Sequence, residues 1–368
     1  MTAVPPTPPP GVPPQDPQWH SPLAGAPPRE GRGVSFFVAI FLGLLLFVSG
    51  GLNVLLLLLT FGSFASQGLG GVGDGDANFE RVHVGGDAGA PSRILRVPIS
   101  GAIAEGQNPV LGAAGGTVSE VRRALRYAAG DDGVRGLILA IDSPGGGVTD
   151  SDEIYRMLLR FKREHPRVRV VALFGDIAAS GGYYVACAAD RIVARRTTIT
   201  GSIGVIMSSW NFAELAKKVG VDEIAIKSPH TPFKDMLSPM RPMQDAERAL
   251  LTGIVEEMYQ QFVDVVDEGR DELDRAQVVA LANGAVYSAA QALANHLIDE
   301  IGDADSVEQS FRTAGPVEIV EYRRRPSLRD VLFGASAAAA PVDPMAAAAR
   351  LLTTSTGPRF LYYWQGAR

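Results

Sequence analysis

The longest apolar stretch of the chain runs from Phe36 to Phe61 and contains no charged residue. Twenty-six helical residues rise about 39 Å, enough to cross a hydrocarbon core of about 30 Å with some tilt. The stretch is about twice as long as a signal-peptide core, and about 34 residues precede it. We therefore expect a retained transmembrane anchor over residues 35–62. A cleaved signal is the alternative, since Ser63-Phe64-Ala65 resembles a cleavage site.

Basic residues flank this stretch unequally, and this predicts its orientation. Arg29 and Arg32 lie just before it, whereas the first basic residue after it is Arg81. The positive-inside rule places the N-terminus in the cytoplasm. We expect a single-pass protein of the cytoplasmic (inner) membrane, with everything after the span on the extracytoplasmic side.

Three further segments lack the periodicity of a folded core. Residues 1–34 are proline-rich and are typical of a disordered cytoplasmic arm. Residues 63–91 are rich in glycine and aspartate, and we interpret them as a flexible tether. Residues 335–368 form an alanine-rich tail whose aromatic end, Phe360 to Trp364, is either mobile or docked on the domain.

Between these segments, residues 92–334 alternate between strand and helix patterns. The run Gly136–Ile141 is continuously apolar, as a buried parallel strand requires. Thr117 and Glu120 form a capping-box pattern at the start of a helix. Two successive β–α–β passages predict an α/β domain with a parallel sheet. The predicted strands are 94–99, 136–141 and 168–174. One predicted helix begins at Thr117, and two others cover 150–164 and 244–267.

Composition excludes several classes of function. The formal charge is −6, from 34 basic and 40 acidic residues, which argues against a nucleic-acid-binding protein. The single cysteine, Cys187, rules out an intramolecular disulfide framework and a multi-thiolate metal site. The mean hydropathy of +0.10 reflects the apolar stretch more than the rest of the chain.

Two glycine-rich turns follow predicted strands, at the strand ends where α/β proteins bind ligands. They are Asp142–Gly147 and Gly175–Tyr184, and neither has the spacing of a phosphate-binding loop. Ser180 stands between small residues at the start of a predicted helix. Its hydroxyl and the adjacent N–H groups suit acyl transfer with an oxyanion site. A serine that merely caps the helix is the alternative.

A nucleophilic serine needs a base, and the residues leave three candidates. His230 lies in a proline-rich loop and is the one histidine suited to a Ser–His pair. Lys234 lies among apolar residues, and Lys227 ends a predicted strand. A lysine accepts a proton only if its surroundings lower its pKa, and Asp235 beside Lys234 would act in the opposite direction.

Four motifs in this order resemble the signal peptide peptidase A family, the SppA-type membrane-anchored Ser–Lys endopeptidases, over roughly residues 93–315. The motifs are Ser-Pro-Gly-Gly-Gly at 143–147, Ala-Ala-Ser-Gly-Gly-Tyr-Tyr at 178–184, Thr-Gly-Ser-Ile-Gly-Val at 200–205 and Phe-Lys-Asp-Met-Leu-Ser-Pro at 233–239.

The resemblance implies a Clp-protease/crotonase-like spiral α/β fold and a ring-shaped homo-oligomer, in which one site takes its serine and lysine from neighbouring subunits. It also implies hydrophobic peptide substrates such as cleaved signal peptides, and no cofactor or metal. By motif position it assigns Ser180 as nucleophile, Lys234 as general base, Gly146 and Gly181 as oxyanion N–H donors, and Thr200 and Ser202 as hydroxyls that support the lysine.

The sequence departs from the family pattern just before the lysine. Between Lys227-Ser228 and Lys234 the loop is longer and contains two prolines, so Lys227 stays an alternative base. We expect a membrane-anchored serine endopeptidase. The alternatives are a crotonase-like acyl-CoA enzyme and a non-catalytic oligomeric scaffold with the same fold.

Overall fold

The computed structural model describes residues 37–54, 79–105, 107–108, 113–114, 116–324 and 360–363. The chain divides into two compact units, Met1–Gly75 and Asp76–Arg368.

The first unit contributes one described element, the helix α1 (Phe37–Val54). Its mean hydropathy is 2.3, it is long and apolar enough to cross a membrane, and none of it is buried in the structure. The Asn53 side-chain amide donates to the Ser49 carbonyl at 2.7 Å, so the helix itself satisfies this polar group. An apolar helix is thus confirmed within the expected span. The rest of 35–62, the arm 1–34 and most of the tail lie outside the described residues.

The second unit is a sheet covered by helices. Its strands are β1 (Phe79–Gly86), β2 (Ser92–Ser100), β3 (Gln107–Asn108), β4 (Ala113–Ala114), β5 (Val134–Ser143), β6 (Gly145–Gly147), β7 (Arg169–Ala179), β8 (Arg191–Ala194), β9 (Ile199–Gly201), β10 (Ile206–Met207), β11 (Val286–Ser288), β12 (Glu300–Ile301), β13 (Val317–Arg324) and β14 (Phe360–Tyr363). Its helices are α2 (Thr117–Ala129), α3 (Val148–Glu164), α4 (Gly181–Ala186), α5 (Ala213–Val219), α6 (Asp245–Gly269), α7 (Arg275–Leu281), α8 (Ala289–Ala294) and α9 (Ala304–Phe311).

Most neighbouring strands of the main sheet are parallel. The order across this sheet is β1-β13-β2-β5-β7-β8-β12. Among its described strands, only the pairs β1–β13 and β9–β11 are antiparallel. The strand β7 has two partners on one side: its first half pairs with β8, and Ile177–Ala179 pair with β9. The expected α/β class with a parallel sheet is confirmed, and the sheet divides where β7 ends.

The run Gly136–Ile141 of the central strand β5 is apolar because helices cover both faces of the sheet. Leu137 and Leu139 lie in the larger core cluster, which also contains residues of α2, α3, α4 and α6. Ile138, which points to the other face, packs in a second cluster with Val307 and Phe311 of α9. The alternation of side chains along a strand therefore places a buried residue on each face.

The start of α2 differs from the predicted capping box. The N-cap is Gly116, which has no side chain, and the Thr117 hydroxyl donates instead to the Ala102 carbonyl at 3.4 Å. The Glu105 carboxylate accepts the Ser119 N–H at 3.0 Å. The Glu105 side chain, which lies outside the helix, thus takes the role of the cap. The predicted capping box of Thr117 and Glu120 is wrong.

The prediction of a flexible tether over residues 63–91 is also wrong for the second half of that segment. Residues 79–86 form β1, which pairs antiparallel with β13 at the edge of the sheet. Val82 and Val84 alternate with the exposed Arg81 and His83, a half-buried edge-strand pattern that the surrounding glycines and acidic residues obscure.

An ion pair between a buried arginine and a partly exposed aspartate joins the end of α6 to the segment before β12. The Arg270 guanidinium donates to both carboxylate oxygens of Asp299, at 2.7 and 3.1 Å, and to the His296 carbonyl at 2.8 Å. Asp299 also accepts the Ile192 N–H at 2.6 Å. The Arg270 side chain is 6% exposed and the Asp299 side chain 30%, so the guanidinium is withdrawn from water whereas the carboxylate stays partly solvated.

We predict that Arg270→Ala lowers the free energy of unfolding by about 2 kcal/mol, because it removes the charge-assisted hydrogen bonds of a buried guanidinium. The matched control is Arg275→Ala, which removes an exposed pair with Asp264 and should cost less than about 1 kcal/mol. Denaturant unfolding followed by circular dichroism measures both variants. Equal losses in the two would contradict the prediction.

Candidate active site

Ser180 occupies a strained turn between β7 and α4. Its φ is 52° and its ψ −117°, a conformation that non-glycine residues rarely adopt. Hydrogen bonds hold it there: its N–H donates to the Gly201 carbonyl at 2.8 Å, and its carbonyl accepts the Tyr184 N–H at 2.9 Å. The turn therefore fixes the serine backbone from both sides, between the sheet and the helix.

The Ser180 side chain faces an open cavity of about 470 Å³. Ser202, expected to support the lysine, lines the same cavity. The other lining residues are Gly204, Val205, Ile206, Tyr259, Ala282, Asn283, Gly284 and Tyr363. The motif-based analysis missed Tyr259 and Asn283, which lie far from the four motifs in sequence.

Two glycines expected to donate to an oxyanion lie against each other. A Cβ built on Gly181 would lie 3.2 Å from the Gly146 nitrogen. Gly181 begins α4, so its N–H has no partner within the helix. The two residues meet because β5 and β7 are parallel neighbours, whose carboxyl ends lie at the same edge of the sheet.

The backbone pattern of β6 shows where the Gly146 N–H points. The Gly147 N–H donates to the Ile103 carbonyl and the Ile103 N–H to the Gly145 carbonyl, both at 2.9 Å. Since peptide groups alternate in direction along a strand, Gly146 directs its own N–H and carbonyl to the opposite side. Two N–H groups beside Ser180 are thus able to stabilise a developing negative charge.

Thr200 and Ser202 lie at the end of the sheet next to Ser180. The buried Thr200 hydroxyl donates to the Ala178 carbonyl at 2.6 Å, so its remaining capacity is to accept a hydrogen bond. Ser202 has a φ of 48°, and its N–H donates to the Ala285 carbonyl at 2.7 Å. Both hydroxyls are therefore held on rigid backbone.

The structure of the single chain does not bring the candidate bases to Ser180. Lys234 and His230 are exposed in the loop between α5 and α6, and neither lines the Ser180 cavity. Across the described parts of the chain, no side-chain hydrogen bond or ion pair engages the Lys234 ammonium. The serine half of the expected site is thus preformed, whereas the lysine half lies apart from it.

The Asp235 carboxylate, which follows Lys234 in the sequence, pairs with cations other than Lys234. It binds Lys227 and accepts from the Arg241 Nε at 3.1 Å. Hydrogen bonds from Lys227 and Arg241 lower the pKa of Asp235 to about 2. Lys227 also donates to the Pro232 carbonyl at 2.8 Å, so this alternative base is tied into the loop.

Arg241 connects this loop to α6. Its Nη1 donates at 3.0 Å to Glu247, a buried carboxylate in the first turn of α6. Glu247 also accepts the Gln244 N–H at 2.9 Å, which completes a capping box. The Gln244-x-x-Glu247 spacing was the available signal for this network, which sequence reasoning missed.

Other chemistry has little support in the described residues. No group of three His, Cys, Asp or Glu side chains there is close enough together to hold a metal ion. Cys187 is buried, as expected, and burial raises the pKa of its thiol to about 12. A thiol that stays protonated is a poor nucleophile.

We predict that the loop around Asp235 loosens only in strong acid. Because the folded pKa is depressed, the pairing contributes above the unfolded value near 3.9 and is lost as the pH falls toward 2. Asp235→Asn should loosen the loop at neutral pH, as faster amide hydrogen exchange over residues 228–241. The matched control is Glu214→Gln, which removes an exposed pair with Lys217. Loosening of the wild-type loop at pH 5–6 would contradict this prediction.

Comparison with known proteins identifies relatives over most of the second unit. Residues 162–317 match Peptidase family S49. A Synechocystis protein named as a protease is 40% identical over 217 residues, which are 59% of this chain and 72% of that protein. An Enterococcus faecium protein named as a signal peptide peptidase SppA is 32% identical over 235 residues, 63% of this chain and 67% of that protein. Protease 4 of Haemophilus influenzae is 35% identical over 58% of this chain, but only 33% of that longer protein is covered.

The comparison with solved structures finds a mutant of the membrane-bound stomatin-specific protease 1510-N and a ClpP1 mutant from Listeria monocytogenes. Each is 14% identical, with TM-scores of 0.39 and 0.37. They cover 60% and 58% of this chain, and 84% and 94% of their own chains.

Proposed function

Because the chain belongs to peptidase family S49 and is an SppA-type protease, we propose that it is a membrane-anchored serine endopeptidase with a Ser180–Lys234 dyad. The observation that carries the proposal is the strained Ser180 turn beside the N–H groups of Gly146 and Gly181. The family favours peptide hydrolysis over acyl-CoA chemistry on the same fold. Intact serine and lysine motifs argue against an inert scaffold.

In the proposed reaction, neutral Lys234 accepts the Ser180 hydroxyl proton as Oγ attacks the peptide carbonyl carbon. The Gly146 and Gly181 N–H groups bind the resulting oxyanion, each worth about 10²–10³ in rate. The C–N bond then breaks, and the lysine gives its proton to the leaving amine. Water then attacks the carbonyl carbon of the acyl-enzyme while the lysine accepts a proton from it. The bond from that carbon to the Ser180 Oγ breaks, and the lysine returns the proton to the serine.

We assign Lys234 to the site of a neighbouring copy in a ring-shaped homo-oligomer. The supporting observation is an exposed apolar surface on the segment that leads to the lysine loop. Trp210 is 78%, Ile224 86% and Ile226 96% exposed. Large exposed apolar side chains in one segment are typical of an interaction surface. A neighbour packed there would exclude water from the loop that carries Lys234.

The substrates that fit this proposal are hydrophobic extended peptides near the membrane, such as cleaved signal peptides. The apolar helix α1 would anchor the chain, with its N-terminus in the cytoplasm and the peptidase domain on the extracytoplasmic side. An anchored enzyme meets membrane-retained peptides at high effective concentration.

We predict that Ser180→Ala and Lys234→Ala each lower kcat/KM for a peptide by at least about 10³-fold, since the two residues act as a unit. Labelling by a fluorophosphonate probe should be lost in both, with unchanged circular dichroism. Lys217→Ala, an exposed lysine outside the site, is the matched control. Full activity of Ser180→Ala would refute the assignment. Activity that survives Lys234→Ala but not Lys227→Ala would reassign the base.

Mixing the two inactive chains tests whether copies share a site. If neighbours contribute the serine and the lysine, an equal mixture of Ser180→Ala and Lys234→Ala regains about a quarter of wild-type activity, because a quarter of neighbouring pairs combine two intact residues. Ile226→Asp should abolish this recovery and reduce the oligomer size measured by light scattering. The matched control is Val279→Asp, an exposed apolar residue on α7. Absence of recovery in a mixed oligomer would contradict the sharing.

A further inference from the structure

A second cavity adjoins the Ser180 cavity and takes no part in the proposed reaction. Its volume is about 660 Å³, and Val205 and Ile206 line both cavities. Its other walls are the turn after β10, the start of α5, the loop before α6 and the first turns of α6. Met207 and Trp210 line the second cavity alone, so the chain leaves the Ser180 cavity along β10 and enters the second one.

The strand β14 shows in which direction an extended peptide lies beside β10. It is held between β6 and β10 and runs antiparallel to both, so the aromatic end of the tail is docked, one of the two alternatives that the sequence left open. Phe360 pairs with Met207, and Leu361 pairs with Ile206. A peptide in this orientation therefore directs its N-terminal part along β10 toward the second cavity.

The register sets how far from the cleaved bond this N-terminal part lies. Successive residues of a strand in this place, counted toward its N-terminus, lie opposite Gly146, Ile206 and Met207. Gly146 is a candidate oxyanion donor, so the residue opposite it presents the carbonyl to be attacked. At one residue per position, about the fifth and sixth residues before the cleaved bond then reach the segment that ends at Trp210.

Apolar side chains make up most of the lining of the second cavity. Leu251, which is 5% exposed, and Val255 line it from α6, and Leu237 and Met243 line it from the preceding loop. Trp210 also lines it and is 78% exposed. The cavity therefore offers an apolar side chain a place to leave water.

Hydrogen bonds between its walls give the cavity its shape in the single chain. The Phe212 N–H donates to the Pro239 carbonyl at 2.6 Å, and the Asn211 amide donates to the Arg241 carbonyl at 2.7 Å. These bonds join the segment after β10 to the loop before α6. A preformed cavity binds a ligand without the entropic cost of ordering its own walls.

Continuity with the groove that β14 occupies favours a peptide as the occupant over a second copy of the chain. Ile224 and Ile226, which we assigned to a contact between copies, do not line the cavity. Trp210 is the one residue of that surface that does. A neighbour on the two isoleucines and a peptide in the cavity thus use largely different side chains.

We propose that this cavity is a substrate subsite that binds apolar side chains at about the fifth and sixth residues before the cleaved bond. The inference rests on the proposed peptidase function and specifies a substrate feature for it. These residues belong to the acyl part of the substrate, so they stay attached to Ser180 after the amine has left.

Three fluorogenic peptides measure the selectivity. The first carries leucine at the fifth and sixth positions before the cleaved bond, and the second carries serine there. The third carries those serines and has its two leucines at the fifth and sixth positions after the bond. We expect kcat/KM for the first to exceed that of the other two by at least about tenfold, the effect of burying one leucine side chain. Equal values for the first and second, or for the first and third, would overturn the subsite.

A variant that fills the cavity tests where this selectivity arises. Thr252 is an exposed residue of α6 that lines the cavity, so Thr252→Trp places an indole there without removing a core side chain. We expect the leucine-to-serine ratio of kcat/KM to fall to less than about twofold. The matched control is Glu257→Trp, an exposed position of α6 outside the lining, which should keep the ratio.

Two results with Thr252→Trp would contradict the proposal. One is an undiminished ratio at an unchanged oligomer size. The other is an undiminished ratio with a smaller oligomer by light scattering, which would assign the cavity to a contact between copies.

A binding experiment separates failure of this inference from failure of the proposed function. The full chain with Ser180→Ala is titrated into labelled forms of the first and second peptides, and fluorescence anisotropy is recorded. We expect the leucine peptide to bind at least about tenfold more tightly. Equal binding refutes the subsite, even if the wild-type chain cuts both peptides. Selective binding by a chain whose wild-type form cuts neither peptide refutes the proposed function alone.

Discussion

The neighbouring parallel strands β5 and β7 are the constraint on which the rest of the site depends. Their carboxyl ends meet at one edge of the sheet, so the glycine turn after β5 and Ser180 after β7 are brought together. Ser180 holds a positive φ that costs on the order of 1–3 kcal/mol. The bonds to Gly201 and Tyr184 offset this cost, and the bond to Gly201 continues the pairing of β9 with the end of β7. The division of the sheet at β7 therefore shapes the turn.

The same edge explains why β6 consists of glycine alone. A side chain on Gly146 would collide with the Ile103 carbonyl, and one on Gly145 would collide with the Tyr362 carbonyl. Because its residues have no side chains, β6 can pair with a peptide strand on one side and with Ile103 on the other side. Close approach of backbone to backbone is thus what makes the turn both an oxyanion site and a docking edge.

The parts of the fold that were predictable are those specified by local pattern. The run Gly136–Ile141 is buried on both faces and lies within β5, and the apolar face of α2 was readable from its spacing. Ser180 could be found because small residues and glycines gather around it. The edge strand β1, the cap at Gly116 and the Arg241–Glu247 link depend on partners distant in sequence. The docked position of Tyr362 depends on Tyr184 and Phe262, about 100 residues or more away, so no local pattern could indicate it.

The division of the site between rigid and exposed parts has a consequence for control. Strands and α4 carry Ser180, the two glycines and the aromatic pocket around Tyr362. A core of packed aromatic rings supports these elements. Lys234 stands on an exposed loop that ion pairs to Asp235 hold in shape without engaging its ammonium. In the described part of the chain, β14 pairs with β6 beside Ser180, and none of the candidate bases lines the Ser180 cavity. Under the proposed sharing of the site between copies, assembly would have to precede any reaction of Ser180 with a peptide. Such a requirement would keep an unassembled chain from attacking neighbouring proteins.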